Sequence, residues 1–215
     1  MNQQFLGLLL QGLLNTVVLS LLTFLAGGLV GLVVALMRIS SNRTIAFTAG
    51  LYIQIVQGLP LLVLMGLCFY GPALAGFQAV PALVAATFAM SIYSSSYLGE
   101  IWRGCLQSVP PAQWEAAECL GLSRWQRMSR VVMPQALRIA TPPTVGFMVQ
   151  IVKNTSVASI VVGFAELSYN AKVLNNTTFQ PFIYFGLAGL FYFAICYPLS
   201  RQALALERKL NVAHR

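Results

Sequence analysis

The 215 residues are 58% hydrophobic and only 8% charged, with a mean hydropathy of +0.75. Soluble domains carry about 25% charged residues, so an ordinary soluble fold is excluded, and the apolar stretches have the length of roughly 20 residues that a bilayer demands. The net charge of +8 would suggest nucleic acid in a soluble protein; here the basic residues fall between apolar stretches and lack an interleaved aromatic platform, so the charge reads as membrane topology and no nucleic-acid partner is expected.

From Leu8 to Met37 the chain is apolar apart from a few polar residues, Asn15, Thr16, Ser20 and Thr23 among them. It carries no basic leader or small-residue cleavage site, and is expected to remain as a first transmembrane helix. Arg38 and Arg43 then flank a short polar turn. A second span, Ile45 to Tyr70, is interrupted by Gly58 and Pro60, where a kink or break is expected. Gly71 to Gly76 is an uncharged turn, Val80 to Ile101 a third span, Ile139 to Ala165 a fourth and Pro181 to Leu199 a fifth. The expectation is an all-α membrane protein of about five transmembrane helices, forming one domain over residues 1–215.

Eleven of the thirteen basic residues lie in the loops and tail that an odd number of spans places on one side: Arg38, Arg43, Arg103, Arg124, Arg127, Arg130, Arg138, Arg201, Arg208, Lys209 and Arg215. The positive-inside rule makes that side the cytoplasm and leaves the N-terminus outside. Four cysteines, Cys68, Cys105, Cys119 and Cys196, are scattered without a C-x-x-C pair, so neither a disulfide framework nor a metal site is expected. His214 stands alone in the tail and is expected to be solvated. No phosphate-binding loop is present, and Gly27-x-x-x-Gly31 reads as a close helix-packing motif.

One polar stretch, residues 104–138, interrupts the apolar spans. Glu115-Ala116-Ala117 is followed by three residues, Gly121, nine residues and Val131-Val132-Met133-Pro134. Trp114, Glu115, Ala117 and Glu118 belong to a short helix. Gly121 can take the φ > 0 turn that ends it, and Pro134 is expected to stop a second short helix. The stretch resembles the EAA loop of bacterial ABC importer permeases, with Val131 and Met133 in place of Ile and Leu. Tyr97-Leu98-Gly99-Glu100-Ile101-Trp102-Arg103-Gly104, Ser108-Val109, Pro134-Gln135-Ala136, Pro142-Pro143 and Lys153-Asn154-Thr155-Ser156 follow the order found in the polar amino-acid subgroup of those permeases.

The resemblance implies the ABC type I importer permease fold in the bacterial inner membrane. It also implies alternating access with two cytoplasmic ABC ATPase subunits, a second permease subunit and a periplasmic amino-acid-binding protein. ATP and Mg would be used by the partner ATPase, with no cofactor bound by this chain and no catalysis in it. The coupling segment would comprise Gln113, Trp114, Glu115, Ala116, Ala117, Leu120 and Gly121, with Trp114, Ala117 and Leu120 packed in a groove of the ATPase and Glu115 paired with a basic residue there. Glu115 would also favour the first turn of its helix through the helix dipole.

Five residues are candidates for a translocation path: Lys153, Thr155, Ser156, Glu166 and Gln57. An ammonium inside a span costs about 2.5 to 3.5 kcal/mol on insertion scales, so Lys153 should not face lipid. Glu166 could meet a substrate ammonium or cap an outer loop that carries Lys172. Glu100 and Arg103, three residues apart, read as a structural pair. Where the subgroup shows R-G-T-P with Gln four residues after the Pro, this chain has Gln57-Gly58-Leu59-Pro60 and Leu64. That departure points to substrate contacts supplied by a different partner subunit, although a homodimer stays open. The rival reading is a stand-alone secondary transporter or channel, against which five spans without an inverted repeat argue.

Overall fold

The computed structural model describes residues 3–213; His214, expected to be solvated, lies outside them. The described residues form helices joined by short turns and no strand, in the order α1 (Gln3–Arg38), α2 (Arg43–Gly58), α3 (Leu61–Leu74), α4 (Ala82–Gln107), α5 (Pro111–Cys119), α6 (Arg124–Gln126), α7 (Met133–Val161), α8 (Leu167–Thr178) and α9 (Pro181–Ala213), with one π turn over Arg127–Val132. Without water in the hydrocarbon layer every backbone N–H and C=O must be satisfied within its own segment, which is why the apolar stretches become helices.

Three helical stretches are long and apolar enough to cross a membrane by themselves: Gln3–Arg38, Arg124–Val161 and Pro181–Leu210. The second expected span is two helices rather than one kinked helix, because α2 and α3 meet at 99°. Leu59 is extended, as the residue before a proline must be, and Pro60 starts the next helix with a position that needs no N–H. The bent pair counts as a further crossing if its halves are taken together. At 26 residues α4 is long enough as well. Ser91, Ser94, Ser95 and Ser96 lower its apolarity and are buried in the bundle, so the lipid does not meet them.

Small residues set the closest contact, between α1 and α4. A Cβ on Gly27 would lie 2.9 Å from the Cβ of Ser94 and 3.1 Å from the Ser91 carbonyl oxygen. On Gly31 it would lie 3.1 Å from both the Leu98 Cβ and the Ser95 carbonyl oxygen. The packing role read for Gly27-x-x-x-Gly31 is what the structure shows: the backbones approach because nothing stands between them. Leu14, Leu25, Leu29 and Val33 point outward from the same helix.

Three of the four apolar clusters follow one another along the bundle. Leu9, Leu167, Ala171, Leu174, Tyr184 and Ala188 join the start of α1 to α8 and α9. Leu19, Met65, Ala86, Met90, Ile151 and Ala158 form the middle. Leu106, Val109, Val132 and Ala136 form the third, against which Trp114 and Met128 pack. That last cluster anchors the polar stretch.

Candidate functional site

Pro110 and Pro111 begin α5, with Pro111 in the first turn, where a missing N–H costs nothing. The helix ends at Gly121, whose φ is +74°. The Leu122 N–H donates to the Ala117 carbonyl at 3.2 Å and the Gly121 N–H to the Glu118 carbonyl at 2.9 Å, the paired bonds of a Schellman ending. Ser123 and Gln126 form a reciprocal capping box that starts α6.

Pro134 does not stop this second helix. The π turn over Arg127–Val132 lets α6 run on into α7, and Pro134 sits in the first turn of α7, so the knob is one end of a long helix. Arg127 pairs with Glu118 at 2.7 Å across the turn. Gln135 donates to the Gln113 side chain at 3.3 Å. The position of α5 on α7 is therefore held by polar ties at both ends and by Trp114 on the apolar cluster between them.

This geometry corrects the expected contacts. Ala117 is only 3% exposed and offers no free face to a partner, while Trp114, half-buried against the chain's own core, keeps part of its side chain on the cleft beside α5. Their contribution is to seat α5. Glu115 lies in the second turn, with no acidic residue in the first, and the dipole contribution expected of it is not made there. The outward ridge consists of Gln113, Glu115, Ala116 and Leu120, the last 79% exposed, continued by Trp125 at 77%. A cleft of about 790 Å³ separates α5 from the α1–α2 turn, with Arg38, Trp114, Glu115, Glu118, Arg124 and Arg127 on its walls.

Sequence spacing placed Glu100 and Arg103 together, and they are. Arg103 donates from Nε at 2.9 Å and from a terminal nitrogen to the two carboxylate oxygens, and it also reaches Gln107. The path candidates divide into two groups. Lys153 is exposed on α7, beside exposed Gln150, which donates to Asn154 at 3.0 Å. Ser156 and Gln57 are half-buried; Ser156 donates to the Lys153 carbonyl, and Gln57 donates to the Ser96 carbonyl at 3.3 Å, tying α2 to α4. Thr155 and Glu166 are both 0% exposed and do not line a surface of this chain.

Glu166 is the N-cap of α8, accepting from the Tyr169 N–H at 2.9 Å. Its other oxygen accepts from the Tyr192 hydroxyl at 2.5 Å and the Thr16 hydroxyl at 3.4 Å. Asn15 and Asn170 close the same junction through the carbonyls of Ala165 and Leu8, each at 2.7 Å. Glu166 thus caps the helix that carries Lys172, and its side chain is buried away from every surface of this chain. Sequence reasoning missed Thr16 and Tyr192 because they lie 150 and 26 residues from Glu166. It also missed the aromatic stack of Tyr93 and Tyr97 on α4 with Phe147 on α7, with centroids 4.7 and 5.6 Å apart.

The family described as binding-protein-dependent transport system inner membrane component matches residues 27–212. The chain is 34% identical over 200 residues to a probable amino-acid ABC transporter permease protein, YckA, of Bacillus subtilis, covering 93% of this chain and 88% of that one. It is 35% identical over 214 residues to the nopaline transport system permease protein NocM of Agrobacterium fabrum, covering 94% and 88%. Among solved structures, a crystal structure of an amino acid ABC transporter with histidines superposes with a TM-score of 0.88 at 32% identity, over 96% of this chain and 95% of that one. The inward-facing MetNI methionine ABC transporter shares the fold at a TM-score of 0.75 and 17% identity, over 96% and 99%. With a helical bundle of this type, a polar knob in the EAA frame and these relatives, the chain belongs to the family of inner-membrane components of binding-protein-dependent transport systems.

Proposed function

We propose that the chain is one transmembrane subunit of an ATP-driven importer for a polar or charged amino acid, delivered by a periplasmic binding protein. The observation that carries the substrate class is the superposition, at 32% identity and over nearly the whole chain, on an amino acid ABC transporter. Two ATPase subunits would receive the outward ridge of α5, Leu120 filling a groove and Glu115 meeting a basic residue, while ATP and Mg stay on the ATPase. A second permease subunit would cover the exposed polar stripe of α7, since Lys153 and Gln150 cannot face lipid. Closure of the ATPase pair would push α5, and through it α7, as one body, and so switch the bundle between two states.

The test is uptake by the complete complex in vesicles. Labelled L-glutamine, L-arginine, L-glutamate and L-histidine are offered with the cognate binding protein, with ATP inside. Uptake of at least one that stops without ATP is the expected result. ATP-independent uptake by this chain alone would establish a secondary transporter instead.

A further inference from the structure

A second polar cavity, of about 300 Å³, lies along one face of α2, lined by Arg38, Phe47, Gly50, Gln54, Gln57 and Glu100. Its size is at the lower end of small-molecule sites, suited to a single small solute. Its position is set by α4: Gln57 is tied to Ser96, and Glu100 stands one turn further on, seven residues and about 10 Å from the end of α4 at Gln107. Arg38 is the last residue of α1 and also lines the 790 Å³ cleft beside α5. The cavity thus runs from the break after α2 to the end of the bundle that carries the coupling knob.

The charges in it are complementary to a zwitterion. A guanidinium has five N–H donors, and Arg38 uses one of them in a bond, to the Ala46 carbonyl at 3.1 Å; its Nε is buried without a partner. Glu100 accepts from Arg103 and, with about four lone-pair sites on a carboxylate, has acceptor capacity left. Gln54 is exposed and shows no side-chain bond. Gly50 lets the guanidinium lie on α2, since a Cβ there would be 3.0 Å from a terminal nitrogen of Arg38. A planar donor group and a carboxylate lining one cavity match an α-carboxylate and an α-ammonium.

We propose that this cavity is a cytoplasm-side amino-acid site, the last station before release, with the α-carboxylate on Arg38 and the α-ammonium on Glu100 and Gln54. The proposal rests on the amino-acid reading above. Because the site faces the cytoplasm, amino acid accumulated there binds the inward-open state and holds the importer back by mass action.

The experiment uses the complete complex in vesicles whose lumen represents the cytoplasm. The amino acid taken up fastest from the four above is preloaded unlabelled in increasing concentration, and the initial uptake rate is normalised to each variant's own unloaded rate. Lumenal amino acid should slow the wild type, whereas its carboxamide, which lacks the carboxylate, should not. Arg38→Gln should raise the half-inhibiting concentration at least about tenfold, the weight of one charge-assisted hydrogen bond, and Gln54→Leu, which breaks no bond within the protein, about threefold or more. Uptake that is insensitive to lumenal amino acid, equal inhibition by the carboxamide, or unchanged inhibition in both variants overturns the proposal. Absence of uptake by the wild type with every amino acid defeats the amino-acid reading itself, which separates the two failures.

Discussion

Glu166 is the one fully buried carboxylate among the described residues, and it holds three segments together without a cation. Each of its oxygens is used, one on the α8 backbone and one on hydroxyls of α9 and α1. Its removal leaves the Tyr169 N–H without its cap, at a cost of about 1–3 kcal/mol, and the Tyr192 hydroxyl with Ser168 alone, at 3.1 Å. Glu166→Ala is therefore expected to lower stability by about 2–4 kcal/mol, read as earlier thermal unfolding in detergent, with Tyr192→Phe costing less because the cap survives. Normal melting of Glu166→Ala would show that the cap carries no weight. The sequence placed this residue at the outer end of a span but left its role open between cap and substrate contact. Only the fold, which brings Thr16 across 150 residues, decides for the cap.

At the scale of elements, the turn after α5 and the α1–α4 seam make opposite demands of glycine. Gly121 meets no atom within 4 Å of an added Cβ, so its constraint is the backbone alone, at φ +74°. A β-branched side chain in that region costs about 1–2 kcal/mol or more, and Asn much less. Gly121→Val should weaken co-purification with the ATPase while membrane insertion continues, and Gly121→Asn should restore much of it; full assembly of the Val variant would dismiss the coupling role. Gly27 is limited by space instead, so Gly27→Ala should destabilise by about 1–3 kcal/mol through overpacking, whereas Gly186→Ala, with nothing within 4 Å, should be neutral or mildly stabilising in thermal unfolding. The spans and the Gly121 turn were legible because each depends on local composition. The 99° angle between α2 and α3 was not, since Pro60 announces a break and not its direction. Nor was α8, whose Asn- and Thr-rich stretch, with Asn175, Asn176, Thr177 and Thr178, reads as loop until Glu166 caps it. The inward aspect of Ala117 and the π turn before Pro134 depend on packing against α4 and α7, which the spacing of the EAA frame does not carry.

For the whole molecule, sidedness follows from joining the charge pattern to the fold. Arg38, Arg124 and Arg127 line the cleft beside α5 at one end of the bundle, and Lys172 on α8 stands with the Leu9 apolar cluster at the other. By the positive-inside rule the α5 end is expected in the cytoplasm and α8 outside, with the start of α1 outside and the end of α9 inside as the expectation to be tested. Cys119 offers a direct reading, because it is the one exposed cysteine and lies on α5 itself. In a chain that keeps Cys119 and has Ala at Cys68, Cys105 and Cys196, a membrane-impermeant maleimide should label inverted vesicles and leave intact spheroplasts unlabelled. Adding Lys172→Cys to a chain without Cys119 should reverse the pattern. Labelling of Cys119 from outside would invert the assignment and remove α5 from the reach of any cytoplasmic ATPase. Labelling of both positions from one side would mean that α7 does not cross the membrane, and the bundle would then lack the helix that joins the coupling knob to the polar stripe of Lys153.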